Sequence, residues 1–159
     1  MRLQTRANML HDNLKKLGIA LPPVSGPFGA YVPARRVGNL IYVAGQLPMK
    51  DGKLMATGQV PSRCSLEDAR AAARQCIINA IGAVQSLSGG VEQIVGVVRV
   101  GAFVNSDATF TDQPKVADAA SELLTQLFGD LGKHARAAVG VNTLPRDASV
   151  EIEVIFEAE

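Results

Sequence analysis

Residues Val150-Glu-Ile-Glu-Val-Ile-Phe156 alternate so regularly that they fix both a strand and its faces. Side chains in a strand point to opposite faces in turn. Val150, Ile152, Val154 and Phe156 therefore form a face suited to packing under helices, and Glu151 and Glu153 point the other way. The preceding segment, Ala135 to Asn142, reads as a second strand, with Leu144-Pro145 at the turn between the two. As a hairpin, this places Ala137, Val139 and Val141 on the helix side. Arg136, Ala138, Gly140 and Asn142 then share the face of the glutamates. Arg136 lies opposite Glu153 and diagonal to Glu151, within reach of a long side chain. Two readings stay open for such a pair. One is a plain ion pair on a solvated or interfacial face. The other is a ligand site, in which the guanidinium fork takes a carboxylate and the glutamate positions or deprotonates a water.

The rest of the chain supplies the helices this strand needs. Met9, Leu10, Leu14 and Leu17 recur at helical spacing over Thr5 to Leu17, and Gly18 stops them. Leu21 to Gly29 is a connector of prolines and glycines. Tyr31–Val37 and Leu40–Gln46 read as strands around a Gly38-Asn39 turn, with a second turn at Met49–Lys53 leading into a short third strand. Ser65-Leu-Glu-Asp68 opens a helix whose stripe runs through Ala69, Ala72, Ala73, Cys76, Ile77, Ala80, Ile81 and Val84. Val91 to Val104 is a long β-branched strand. A further helix begins at Asp112-Gln-Pro-Lys, with Pro114 in its first turn, and carries Val116, Ala120, Leu123, Leu124 and Leu127. This order predicts an α+β fold, a mixed sheet with two helices on one face plus an N-terminal helix. The 159 residues fit one domain, with 1–28 as a helical extension and connector and 29–159 as the core.

Composition narrows the function. A net charge of +1 and 4% aromatic residues without Trp supply neither a basic stripe nor stacking platforms, so nucleic acid is an unfavoured partner. Cys64 and Cys76 are too few for a disulfide scaffold, and no His, Cys or Asp cluster has metal-ligand spacing. Neither a metal nor a cofactor is expected. The N-terminus has no continuous apolar run of the signal-peptide kind, and the apolar stretch near Val95 to Val104 is interrupted by Gly96, Arg99 and Gly101. A cytoplasmic location is the corresponding expectation, with no membrane partner. His134 stands two residues before Arg136, as either a ligand donor or a surface or interface residue.

Four stretches taken together, Gly38-Asn-Leu-Ile-Tyr-Val-Ala-Gly-Gln-Leu-Pro48, His134-Ala-Arg136, Leu144-Pro-Arg-Asp147 and Val150-Glu-Ile-Glu-Val154, resemble the reactive-intermediate deaminase superfamily (RidA, YjgF-like). Its members often carry an endoribonuclease L-PSP label. The resemblance covers about Tyr31 to Phe156, and the N-terminal extension suggests a longer subgroup. It implies a chorismate-mutase-like fold and a homotrimer with clefts between subunits. It also implies hydrolysis of small 2-imino or enamino acids to 2-oxo acids and ammonia, without a cofactor. Arg136 matches the family's carboxylate-binding arginine, and Glu151 the glutamate that orients water. Tyr31 matches a family tyrosine, with Gly26-Pro27-Phe28 as a competing match. Gly45 would offer a backbone group to the ligand, and Ala138 a backbone carbonyl. The chain departs from the pattern at Ala44, His134 and Ala138. Asp118 is the nearest counterpart of a family asparagine and would bring negative charge toward an anionic substrate. A trimer that binds small carboxylates without turnover is the alternative, and an RNA-cleaving protein a more remote one.

Overall fold

A computed structural model describes residues 2–24 and 29–159, with side chains from residue 9 onward. The competing Gly26-Pro27-Phe28 match lies outside the described residues. The elements run α1 (Arg2–Lys16), β1 (Ala34–Val37), β2 (Leu40–Gln46), β3 (Met49–Lys50), β4 (Lys53–Leu54), α2 (Leu66–Ala83), β5 (Ile94–Asn105), α3 (Gln113–Phe128), β6 (Ala135–Val141) and β7 (Val150–Ala158). Five strands make one sheet in the order β1-β2-β7-β5-β6, and β3 and β4 form a small separate hairpin.

Every pairing in the large sheet is antiparallel except β5 with β6, so the sheet is mixed as expected. One face is the core. Ile41, Val43, Val100, Ala102, Val104, Val150, Ile152, Val154 and Phe156 are all buried there. Against them lie α2 and α3, through Ala69, Ala72, Ala73, Cys76, Ile77 and Ala80 on the first helix and Val116, Ala120, Leu123, Leu124 and Leu127 on the second. The alanine-rich stripe lets the α2 backbone approach the sheet closely. Ser65 caps α2 by accepting from the Asp68 amide at 3.0 Å. Helix α1 packs along α3, where Asn13 Nδ2 donates to the Leu127 carbonyl at 2.9 Å. Both cysteines are buried and unpaired.

The predicted last hairpin is corrected. Strands β6 and β7 are not neighbours, because β5 lies between them and pairs with both. The connection after β6 crosses the end of β5 rather than folding straight back. Asn105, the last residue of β5 and fully buried, is the peg it wraps. Its side-chain Nδ2 donates to the Ala148 carbonyl at 3.2 Å and to Asp147 Oδ1 at 3.3 Å, and its amide donates to the Ser149 carbonyl at 2.9 Å. The crossing is tight enough to put Arg146 and Asp147 at φ 58° and 59°. Arg63 clamps the turn with two bonds to the Asp147 carboxylate, at 2.8 and 3.0 Å. These bonds hold that carboxyl below the usual carboxylate range.

The faces of β6 are reversed as well. Arg136, Ala138 and Gly140 stand in register with Val100, Ala102 and Val104, which face the helices. Val139 is on the opposite, uncovered face with Phe103. Along β6 both rows consist of small or apolar residues apart from Arg136. Alternation alone therefore could not say which row was inside.

Candidate functional site

Arg136 projects from the edge strand β6 toward α3. Its Nη1 donates to Asp118 Oδ1 at 2.9 Å and to Ser121 Oγ at 3.1 Å. Asp118 and Ser121 are three residues apart on α3, so one turn of helix presents both acceptors to one guanidinium nitrogen. The Arg136 side chain keeps only 23% of its exposure, that of Asp118 keeps 49%. Behind Ser121 stands His134, with Nε2 at 2.9 Å from the hydroxyl and Nδ1 at 2.6 Å from the Gly132 carbonyl. A carbonyl only accepts, so Nδ1 carries the proton, and in the neutral ring Nε2 accepts from Ser121. The Ser121 oxygen is thereby turned to accept from Arg136.

Both Nη1 protons of Arg136 are spoken for, and its bonds among the described residues stop there. The Nε–Nη2 edge, which is the side-on fork for a carboxylate, is unengaged. On the same face of β6 the next side chain is the small, half-buried Ala138, and β6 is an edge strand with no partner on its outer side. An anion of modest size can therefore come up to the guanidinium.

Glu151 belongs to a different neighbourhood. It lies on the uncovered face of β7, where the backbone of Gly45 passes so close that an added Cβ would stand 2.5 Å from Glu151 Oε1. Gly45 follows from a break in register between β2 and β7 after Val43. Asn79 of α2 holds that corner by donating to the Leu47 and Met49 carbonyls at 3.0 and 2.9 Å. Partial burial, and after it the charge of Glu153, pushes the Glu151 carboxyl above its usual range. Glu153 pairs with Arg99 at 3.3 Å. Gly101 makes room for it, since a Cβ there would meet Glu153 at 2.9 Å.

Within one chain, then, Arg136 and Glu151 are not brought together. They sit three residues apart along the strands and two strands apart across the sheet, about 14 Å between Cα atoms, with side chains on opposite faces. The diagonal contact expected of a hairpin does not exist. Gly45 joins Glu151, whereas His134 and Ala138 join Arg136. Tyr31 is exposed in the segment before β1. Sequence reasoning missed the Ser121–His134 support, Asn79, and the Arg99–Glu153 pair with Gly101. A serine three residues after Asp118 was the available signal for the first. Nothing in the chain order marks the second, because it depends on where the β3–β4 hairpin folds.

Elsewhere, a cavity of about 370 Å³ opens between the helices beside Leu17, Arg70, Arg74 and Glu122, and it touches none of these residues. Among the described residues no cluster of three or more His, Cys, Asp or Glu side chains could hold a metal. No described helix is long and apolar enough to cross a membrane.

Comparison with known proteins agrees with this geometry. The family described as "YjgF/chorismate_mutase-like, putative endoribonuclease" matches residues 11–157. Protein TCP17 of Trypanosoma cruzi is 39% identical over 146 residues, covering 91% of this chain and 91% of its own. The 2-iminobutanoate/2-iminopropanoate deaminase of Dermatophagoides farinae is 34% identical over 142 residues, covering 89% of this chain and 95% of its own. The crystal structure of Atu1372 from Agrobacterium tumefaciens, a protein of unknown function, superposes with a TM-score of 0.89 at 39% identity, over 99% of this chain and 98% of that one. The mixed sheet, the helices on one face and these matches together make the chain a member of the YjgF/RidA-like family.

Proposed function

We propose that the protein is a hydrolytic deaminase of small 2-imino or enamino acids, acting in clefts between the subunits of a trimer. The observation that carries this reading is the half-engaged guanidinium of Arg136, held by Nη1 and open along Nε–Nη2. That edge takes the substrate carboxylate. A water oriented by Glu151 adds to the imine carbon, the C–N bond of the resulting tetrahedral adduct breaks, and ammonia leaves a 2-oxo acid. The carboxyl of Glu151 is held above its usual range, which suits it to exchange a proton with that water. An imine carbon is already electrophilic, so the reaction calls on no cofactor.

Assembly follows from the distance between the two residues. Arg136 and Glu151 of one chain face opposite ways, so a site that uses both draws them from two copies. The uncovered sheet face supports this, since Val37, Tyr42 and Val139 are exposed on it, and β6 leaves one edge of the sheet unpaired. Tyr31 and the Gly45 backbone would line the same cleft, with Ala138 and His134 flanking Arg136.

The test is semicarbazide competition against 2-imino acids generated in situ. Wild-type protein is expected to suppress semicarbazone formation and Arg136→Ala to lose that effect. A wild type without effect, but stabilised against heat by small carboxylates through Arg136, would mark a binding protein instead.

A further inference from the structure

Arg136 does not present a bare positive charge. Asp118 sits against it at 2.9 Å, so the pair is electrically neutral before any ligand arrives. Only Oδ1 of Asp118 is engaged; Oδ2 has no hydrogen-bond partner among the described residues, and the side chain keeps 49% of its exposure. Ser121 accepts from the same nitrogen and is itself held by His134, which fixes the guanidinium without using the open edge.

This arrangement discriminates between ligands. A simple carboxylate reaching the Nε–Nη2 edge gains the arginine but meets the like charge of Asp118. A carboxylate with a cationic nitrogen on its α-carbon carries its two charges side by side, as the protein does. Its negative end pairs with Arg136 and its positive end with the unengaged oxygen of Asp118. The nitrogen then replaces repulsion with a charge-assisted hydrogen bond.

We infer that Asp118 is a specificity-determining residue, which makes the Arg136 site select zwitterions, the protonated 2-iminium acids, over plain carboxylates and 2-oxo acids. The inference rests on the proposed function for the site and adds the charge state of its substrate. It also gives product release a direction. Hydrolysis exchanges the cationic nitrogen for a neutral carbonyl oxygen, so the 2-oxo acid is left with its carboxylate beside Asp118 and nothing to offset it.

The test needs no turnover. Alanine and propionate differ at the α-carbon by the ammonium group, so calorimetric titration of the intact protein at neutral pH compares the two charge types directly. Wild type should bind alanine at least about tenfold more tightly than propionate. Asp118→Asn should bring the two affinities together, chiefly by improving propionate, and Arg136→Ala should weaken both. The melting temperature and oligomeric state of each variant show whether it remains folded. Equal affinities in wild type, a preference that survives Asp118→Asn, or no measurable alanine binding would each overturn the inference. Equal affinities in wild type that still depend on Arg136 would overturn the inference and leave the carboxylate clamp standing. Affinities indifferent to Arg136→Ala would instead remove the proposed site itself.

Discussion

Gly45 and Glu151 are in direct apposition across β2 and β7, with no room between them for a side chain: a Cβ on Gly45 would lie 2.5 Å from Oε1 and 3.1 Å from Cδ of Glu151. The atoms in the way belong to the end of a flexible side chain, so Gly45→Ala is expected to fold and to displace the carboxylate rather than unfold the sheet. The expected outcome is a melting temperature close to wild type with kcat reduced by about tenfold or more. A large loss of stability with unchanged kcat would show that the glycine serves packing alone.

Glu151 itself should carry a cost to the fold at neutral pH. Its folded carboxyl titrates above its unfolded value because burial and Glu153 disfavour the charge. The stability tied to that shift is present below the unfolded value and is lost as pH rises through the folded one. Glu151→Gln should therefore melt like wild type near pH 4 and at a higher temperature near pH 7.5, while losing the proposed deaminase activity. Melting curves of both proteins across that range check the sign. An advantage for the variant that grows toward acid would contradict the burial argument.

Asn105 should matter to stability out of proportion to its size. Asn105→Ala leaves the buried Ala148 carbonyl without its side-chain donor and frees the turn that crosses β5. The expected loss is about 1–3 kcal/mol in denaturant titration. Proteolysis should then cut first between β6 and β7.

That turn also marks where the sequence stops being legible. Alternation in β7 is strong enough to give its faces without error, because Val150, Ile152 and Val154 alternate with Glu151 and Glu153, and Phe156 keeps the same phase. The stripes of α2 and α3, the Ser65 cap and the first-turn Pro114 were equally plain. β6 was not, since Ala135-Arg-Ala-Ala-Val-Gly-Val141 has no contrast between its rows. Its neighbour is concealed for a related reason. Chain proximity favours a hairpin, and only the buried Asn105 reveals that the connection passes over a strand lying 37 residues or more earlier in the chain. Asp118, the nearest counterpart of the family asparagine, contacts Arg136. The residues that steady the contact, Ser121 and His134, became visible only once α3 was laid beside β6.

The uncovered edge gives a separate expectation. Val139, exposed on β6, should lie at the boundary between copies. If the proposed trimer forms through this face, Val139→Glu is expected to yield monomer and to abolish the proposed activity in the same step, as read by light scattering and the semicarbazide assay. A fully active trimer carrying this substitution would place the assembly surface elsewhere.

The central claim is that Arg136 and Glu151 act from different copies, and mixing inactive variants tests it. Arg136→Ala and Glu151→Gln proteins, each expected to be inactive alone, are unfolded and refolded together in equal amounts. Random assembly restores one intact residue pair in about a quarter of the clefts, so about a quarter of wild-type activity should return. Mixed trimers that form in full yield and remain inactive would contradict a site shared between subunits.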